Sequence, residues 1–158
     1  MIRAALYARV STNDEIQHPE NQLIRLRERA KYSGYEVVGE YVDEKSGKDA
    51  NRPELQRLLT DCRNRQIDII LITKLDRMMR STQNLLNILE DLDRWGVALE
   101  CIDQPIETRS AMGRMMITIL GAVAEFEREL ISERVKDGMA RAKAQGKHVG
   151  RPRNGGKG

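Results

Sequence analysis

This chain has little of what metal, thiol or membrane chemistry would need. Its two histidines, His18 and His148, lie far apart in sequence, so a histidine-built metal centre is not expected. Its two cysteines, Cys62 and Cys101, have no partners at metal-ligand spacing and read as reduced thiols of a cytosolic protein. No apolar run is long enough to span a membrane, and Met1-Ile2-Arg3-Ala4 lacks the charged-then-apolar layout of a signal peptide. Aromatic residues make up only 4% of the chain, which leaves the packing to Leu, Ile, Val and Met. There is no G-x-S-x-G elbow and no G-x-x-x-x-G-K-[ST] loop, which argues against acyl transfer and nucleotide hydrolysis.

The length, 158 residues, fits one domain with its own core plus an appendage. Charged residues reach 32% and are mixed in sign, the composition of a soluble protein. The net charge of +3 conceals an asymmetry. Residues 1–131 carry 19 Lys and Arg against 22 Asp and Glu, whereas residues 132–158 carry 8 against 2. The excess positive charge therefore lies in the C-terminal segment, as in an arm that meets a polyanion or in a solvated tail.

Strand-like and helix-like segments alternate. Ile2–Val10 reads as a buried strand. Pro19 opens a helix with Leu23, Leu26 and Ala30 on one face, and Gly34 stops it. Glu36–Val42 reads as a strand and Asp43–Arg52 as a polar loop. Pro53 opens a second helix, with Leu55, Leu58, Leu59 and Cys62 inward. Asp68–Thr73 is a continuous apolar run typical of a strand covered on both faces. Ser81 or Thr82 caps a third helix with Leu85, Ile88, Leu89 and Leu92 inward, Gly96 ends it, and Val97–Ile102 is a fourth strand. The expected fold is α/β: a mostly parallel sheet flanked by helices, followed by a long C-terminal helix and a basic arm.

The long helix is expected from about Met115 to about Gln145. Met116, Ile119, Val123, Phe126 and Leu130 form a narrow apolar stripe on it, read as a contact with a second subunit. Past Ile131 the helix turns basic and is expected to lose its stripe. Arg134, Lys136, Arg141 and Lys143, then Lys147, Arg151 and Arg153, are the candidate DNA contacts, and Gly150-Arg151-Pro152-Arg153 suits a narrow A·T-rich minor groove. The expected organisation is an α/β domain at 1–112, the helix at 113–146 and an extended arm or linker at 147–158.

Sites in parallel sheets form at the carboxyl ends of strands. Ser11, Asp43 and the run Lys74–Arg80 all lie there. Arginine offers phosphate a planar bidentate donor that stays charged. Arg9, Arg52, Arg77 and Arg80 can clamp a phosphodiester, and the same positive field favours the Ser11 alkoxide. Asp43 and Asp76 can orient those arginines or move a proton. Each arginine alone reads better as a surface salt bridge; four near matching strand ends read as a site.

At these residues the chain resembles the catalytic domain of the serine site-specific recombinases, the resolvase/invertase group. The resemblance runs through Tyr7–Thr12, Pro19–Gln22, Asp43–Arg52, Lys74–Thr82, Ser110–Arg114, Ala122–Arg134 and Ala142–Arg153, in that order. It implies that Ser11 attacks a scissile phosphate, leaving a 5′-phosphoserine link and a free 3′-hydroxyl. It further implies that Arg9, Arg77 and Arg80 hold the phosphate, that Arg52, Asp43, Ser46, Asp76 and Gln22 shape the site, and that Glu127 and Arg128 contribute from the long helix. Double-stranded DNA is the implied partner, homodimers assembling to tetramers the implied state, and no cofactor, metal or membrane is implied. Arms of relatives bind the minor groove, so that part of the reading rests on the resemblance. In relatives a glutamine follows the nucleophile by four residues; here Gln17 takes that place after a loop, Asn13–Ile16, lengthened by two residues. Relatives continue into a helix-turn-helix domain, which is absent after Arg153, where Gly155-Gly156-Lys157-Gly158 reads as a linker. Two other classes stay open: a non-catalytic DNA-binding domain, and a metal-dependent nuclease built on Asp43, Asp76 and Asp103.

Overall fold

The computed structural model describes residues 1–11, 18–45, 51–78, 81–104 and 106–146. Strand β1, Arg3–Ser11, is apolar on both faces, and Ala4 through Ala8 are wholly buried. Helix α1, Pro19–Ser33, starts on its proline and stops at Gly34, whose φ of 73° lets Tyr35 N–H reach back to Ala30 O at 2.9 Å. Strand β2 spans Glu36–Lys45 and helix α2 spans Pro53–Arg63. Strand β3, Ile69–Ile72, leads into a single 3₁₀ turn at Leu75–Arg77. Ser81 caps helix α3, Thr82–Arg94, by accepting Asn84 N–H on its Oγ at 3.1 Å. Strand β4 is Ala98–Cys101 and helix α4 is Ala111–Ala144.

The four strands are all parallel, in the order β2-β1-β3-β4. The chain moves one way from β1 to β2, then crosses back past β1 to β3 and β4. Right-handed crossovers in opposite directions put helices on opposite faces. One face packs Ala4, Leu6, Ala8, Ile69 and Leu71 against Leu23, Leu26 and Ala30 of α1. The other packs Tyr7, Ile70, Ile72 and Leu99 against the apolar sides of α2 and α3. The side chains alternate between faces, as the pleat requires. Cys62 and Cys101 are both buried in this second layer, and burial pushes each thiol up to about 12. No helix among the described residues is long and apolar enough to cross a membrane.

Three features differ from the sequence reading. Strand β2 continues to Lys45, past Val42, because it pairs with β1 along its whole length; Asp43 is thus a strand residue. A bulge at Val38 lets Ala4 pair with Val37 and Ala5 with Gly39. Helix α4 starts at Ala111, ahead of Met115, because Ser110 Oγ accepts Gly113 N–H at 2.9 Å while donating to Glu107 O. The first turns of α4 belong with the sheet: Met116, Ile117 and Leu120 pack on the core, and the compact unit runs from Met1 to Gly121. Met116 is therefore at least partly a core residue.

In the second unit, Ala122–Gly158, the described part is α4 to Ala144 and the residues that follow it to Gly146. Val123 and Phe126 are exposed there, Phe126 by 60%, and Leu130 is half-buried. Ile131, Val135 and Met139, four residues apart, are also exposed, a second stripe that the neighbouring basic residues obscure in the sequence.

Glycine is required at the start of α4. A Cβ on Gly113 would overlap the carbonyl oxygen of Glu107, a backbone atom with no room to yield. Gly113→Ala should cost about 1–3 kcal/mol or more in a urea unfolding curve. Gly138→Ala, in the same helix with open space around it, should instead be neutral or stabilise by about 0.4–1 kcal/mol. Equal behaviour of the two variants would contradict the close packing at Gly113.

Candidate active site at the switch point of the sheet

The strand order reverses direction between β1 and β3, and ligands of open parallel sheets bind in the crevice outside such a point. Strand β1 ends there with Arg9, Val10 and Ser11, which pair with Asp43, Glu44 and Lys45 of β2. On the other side β3 gives way to Thr73, Lys74 and the 3₁₀ turn carrying Asp76 and Arg77. The carbonyl of Arg9, two residues before Ser11, accepts from both neighbours: Arg77 Nη1 at 3.2 Å and Gln22 Nε2 at 3.1 Å. Gln22 comes from the first turn of α1 and is buried. A cleft of about 220 Å³ opens beside them, lined by Asn21, Gln22, Arg25, Thr73, Lys74, Arg77 and Asp103.

Asp43 is 4% exposed and satisfied by three donors. Its carboxylate accepts Tyr7 O–H at 2.9 Å, Glu54 N–H at 2.9 Å and Leu55 N–H at 3.0 Å. The last two are orphan N–H groups in the first turn of α2, whose N-cap residue Arg52 offers no side-chain cap of its own. Asp43 thus caps α2 from a neighbouring strand. Burial, and then the bond to Asp43, raises the Tyr7 hydroxyl well above its ordinary pKa and keeps it a donor. Arg52 is 5% exposed and its Nη1 donates to Met78 O, just past the 3₁₀ turn.

Asp76 is largely exposed and lies loosely beside Arg77, 3.9 Å from its Nε. Asp103 is held instead by Arg25 in a two-pronged ion pair, Nη1 to Oδ2 at 2.9 Å and Nη2 to Oδ1. That hydrogen bonding keeps the Asp103 carboxyl below its ordinary pKa. The three carboxylates considered for a nuclease therefore have separate engagements, and no group of three or more potential ligands among the described residues could hold a metal ion.

The described structure thus brings together Arg9, Gln22, Arg77 and the end of β1 at Ser11, with Asp43 and Arg52 as supports behind them. Ser46, Arg80 and Gln17 lie outside the described residues, as do Lys147, Arg151 and Arg153 of the arm. Glu127, Arg128, Arg134, Lys136, Arg141 and Lys143 are exposed residues of α4 in the second unit. Sequence reasoning missed Arg25 as a partner of Asp103, and Gln104, whose Oε1 accepts Leu75 N–H at 2.9 Å. Neither bond follows a sequence period.

The geometry around Asp43 predicts a stability effect. Asp43→Ala should lower stability by about 2–4 kcal/mol in urea unfolding, since it removes a helix cap and orphans buried donors. Tyr7→Phe, which removes one donor and leaves the cap, should cost about 0.5–1.5 kcal/mol. An Asp43→Ala variant as stable as the parent would show that the carboxylate does not hold α2.

Comparison with known proteins identifies the family. Residues 4–148 match the family model described as Resolvase, N terminal domain. The chain is 36% identical over 151 residues to the transposon Tn21 resolvase of Escherichia coli, covering 94% of this chain and 74% of that one. It is 38% identical over 146 residues to a probable DNA-invertase, y4cG, of Sinorhizobium fredii (strain NBRC 101917 / NGR234), covering 92% of this chain but 45% of that protein. The chain thus spans less than half of one such relative and about three quarters of another. The crystal structure of a resolvase family site-specific recombinase from Streptococcus pneumoniae superposes with a TM-score of 0.78 at 33% identity, over 92% of this chain and 99% of that one. On its sequence, its parallel sheet and its long C-terminal helix, the chain belongs to the resolvase/invertase family of serine recombinases, as that family's N-terminal catalytic domain.

Proposed function

We propose that this chain cleaves and rejoins double-stranded DNA at specific sites through a covalent 5′-phosphoserine intermediate, as the catalytic part of a resolvase- or invertase-type recombinase. The observation that carries the reading is the convergence of Arg77 and Gln22 on the carbonyl of Arg9, two residues before Ser11, at the switch point of a parallel sheet. Family membership supplies the reaction class.

In the proposed step the Ser11 Oγ–P bond forms and the P–O3′ bond breaks. The serine proton leaves and the departing 3′-oxygen gains one. Charge builds on the non-bridging oxygens, and Arg9, Arg77 and Arg80 neutralise it with planar donors that remain charged. Asp43 and Arg52 act from behind, through α2 and the carbonyl of Met78. Gln22, Ser46 and Asp76 shape the surroundings, and Glu127 and Arg128 contribute from the long helix. The phosphoserine ester keeps the bond energy of the phosphodiester, so rejoining is the same step reversed on a new 3′-hydroxyl and needs no cofactor. Arg134, Lys136, Arg141, Lys143, Lys147, Arg151 and Arg153 meet the DNA backbone and groove, a contact expected to weaken steeply with salt.

Cutting two strands in register requires two sites, so the working unit is a homodimer that assembles to a tetramer. The exposed residues Ile119, Val123 and Phe126, with half-buried Leu130 and the outward part of Met116, form the interface of that assembly.

The nucleophile is tested with a pool of nicked duplexes of randomised sequence, labelled at the 3′ end so that a 5′-linked adduct carries the label. The parent chain should yield a protein–DNA adduct that survives denaturation and forms in the presence of a chelator. Ser11→Ala should yield none while folding normally. Adduct formation by Ser11→Ala at the parent's rate would remove Ser11 from the mechanism.

The interface is tested by sedimentation at matched concentrations with and without DNA. Phe126→Glu should break the dimer or higher assembly, because it places an unpaired charge at the contact. A parent chain that stays monomeric on DNA, or a variant that associates equally well, would assign the stripe another role.

A further inference from the structure

The 3₁₀ turn that carries Asp76 and Arg77 is only three residues long, and its own N-cap residue, Lys74, gives it no side-chain cap. A single turn of this kind has poor hydrogen-bond geometry and does not hold itself. It is held from elsewhere in the chain. At its far end Met78 O accepts from Arg52. At its near end Leu75 N–H donates to Gln104 Oε1 at 2.9 Å, across 29 residues of sequence.

Gln104 is itself well placed to act as a fixed point. The β3–β4 pairing extends past the named strands, with Ile102 N–H on Ile72 O and Asp103 N–H on Thr73 O, both at 3.0 Å. Ile106 N–H closes onto Gln104 O at 2.7 Å, and Ile106 is buried in the core. The Asp103 side chain is clasped by Arg25 of α1. The amide oxygen of Gln104 therefore presents the sheet's own frame to the first N–H of the turn. The turn in that register brings Arg77 Nη1 to Arg9 O.

We infer that Gln104 is a positioning residue for the reaction: its side-chain oxygen sets the register of the turn and so aims Arg77, without itself touching DNA. The inference rests on the proposed recombinase function. A plainer account exists. Leu75 is buried, and its side chain alone could anchor the turn, leaving Gln104 as a cap without kinetic effect.

The test uses the full chain, the randomised nicked duplex pool and two variants. Gln104→Met keeps the length but loses the acceptor. Gln104→Glu keeps an acceptor oxygen in place. Gln104→Met should slow adduct formation at saturating DNA by roughly 10- to 100-fold, since small misplacements of a reacting group carry costs of that order. Its DNA affinity and unfolding midpoint should stay near the parent's, and Gln104→Glu should restore the rate. Leu75 N–H should exchange with solvent faster in Gln104→Met than in the parent or Gln104→Glu. Normal cleavage by Gln104→Met, unchanged protection of Leu75 N–H, or equal impairment of both variants overturns the inference alone. A parent chain that forms no adduct overturns the functional reading, and the kinetic role of Gln104 with it.

Discussion

The buried carboxylate of Asp43 is the contact through which the site is tied to the fold. Taking a carboxylate out of water costs several kcal/mol unless other groups replace the lost hydration. Here Tyr7 of β1 and two first-turn N–H groups of α2 replace it, and the positive end of the helix adds to the compensation. One side chain of β2 thereby fixes a second strand and a helix. The consequence runs outward. Helix α2 begins one residue after Arg52, so fixing its first turn fixes where Arg52 starts. Arg52 then holds the carbonyl of Met78, next to the turn that carries Arg77, and Arg77 reaches back to β1 at Arg9. The path starts and ends on β1.

The sheet order explains why positive charge collects where it does. With β1 central and its neighbours β2 and β3 approached from opposite directions, the crevice at its end is bounded by segments from separate parts of the chain. Lys74 and Arg77 line it from the β3 side, Arg9 stands at the end of β1, and the supporting Arg52 comes from a third segment. Grouping cations costs stability through mutual repulsion. Peptide carbonyls of Arg9 and Met78 absorb some of that cost, because each accepts from a guanidinium. Under the proposed function, such an arrangement gives up local stability for a preorganised response to a phosphate, as functional sites commonly do.

Much of this was legible in the sequence where the signal is local. Pro19, Gly34, Pro53, Ser81 and Gly96 mark helix ends through backbone chemistry that acts within a few residues, and the structure has helices ending at or beside all of them. The inward faces of α1 and α3 followed from periodicity alone. What escaped was long-range. Asp43 reads as the start of a polar loop because nothing near it announces that a helix eleven residues on lacks a cap. Gln104 and Arg25 act across 29 and 78 residues, and a side chain that bonds at such separations leaves no periodic trace. The start of α4 was missed because its cap, Ser110, is followed by Gly113, which sequence rules count against a helix interior. Here the glycine is present because Glu107 O occupies the space of its Cβ.

Helix α4 is the longest of the described helices. From Ala122 onward nearly all of its described residues are exposed. Its own side-chain pairs help unevenly. Asp137 and Arg141 are favourably spaced four apart, but Glu125 with Glu129 and Glu129 with Glu133 repel at the same spacing, each by about 0.2–0.5 kcal/mol. Helices in proteins draw most of their stability from packing an apolar face rather than from propensity. Two apolar stripes lie along it nevertheless, one through Val123 and Phe126, the other through Ile131, Val135 and Met139. Covering such surface returns about 25 cal/mol per Å², so in the proposed assembly the same contact would favour pairing and the helical state together. In that proposed assembly, helix order and subunit association are then one equilibrium. Under the proposed function, residues such as Glu127 and Arg128 take their positions only as the assembly forms, which would keep an isolated chain from cutting DNA on one strand alone.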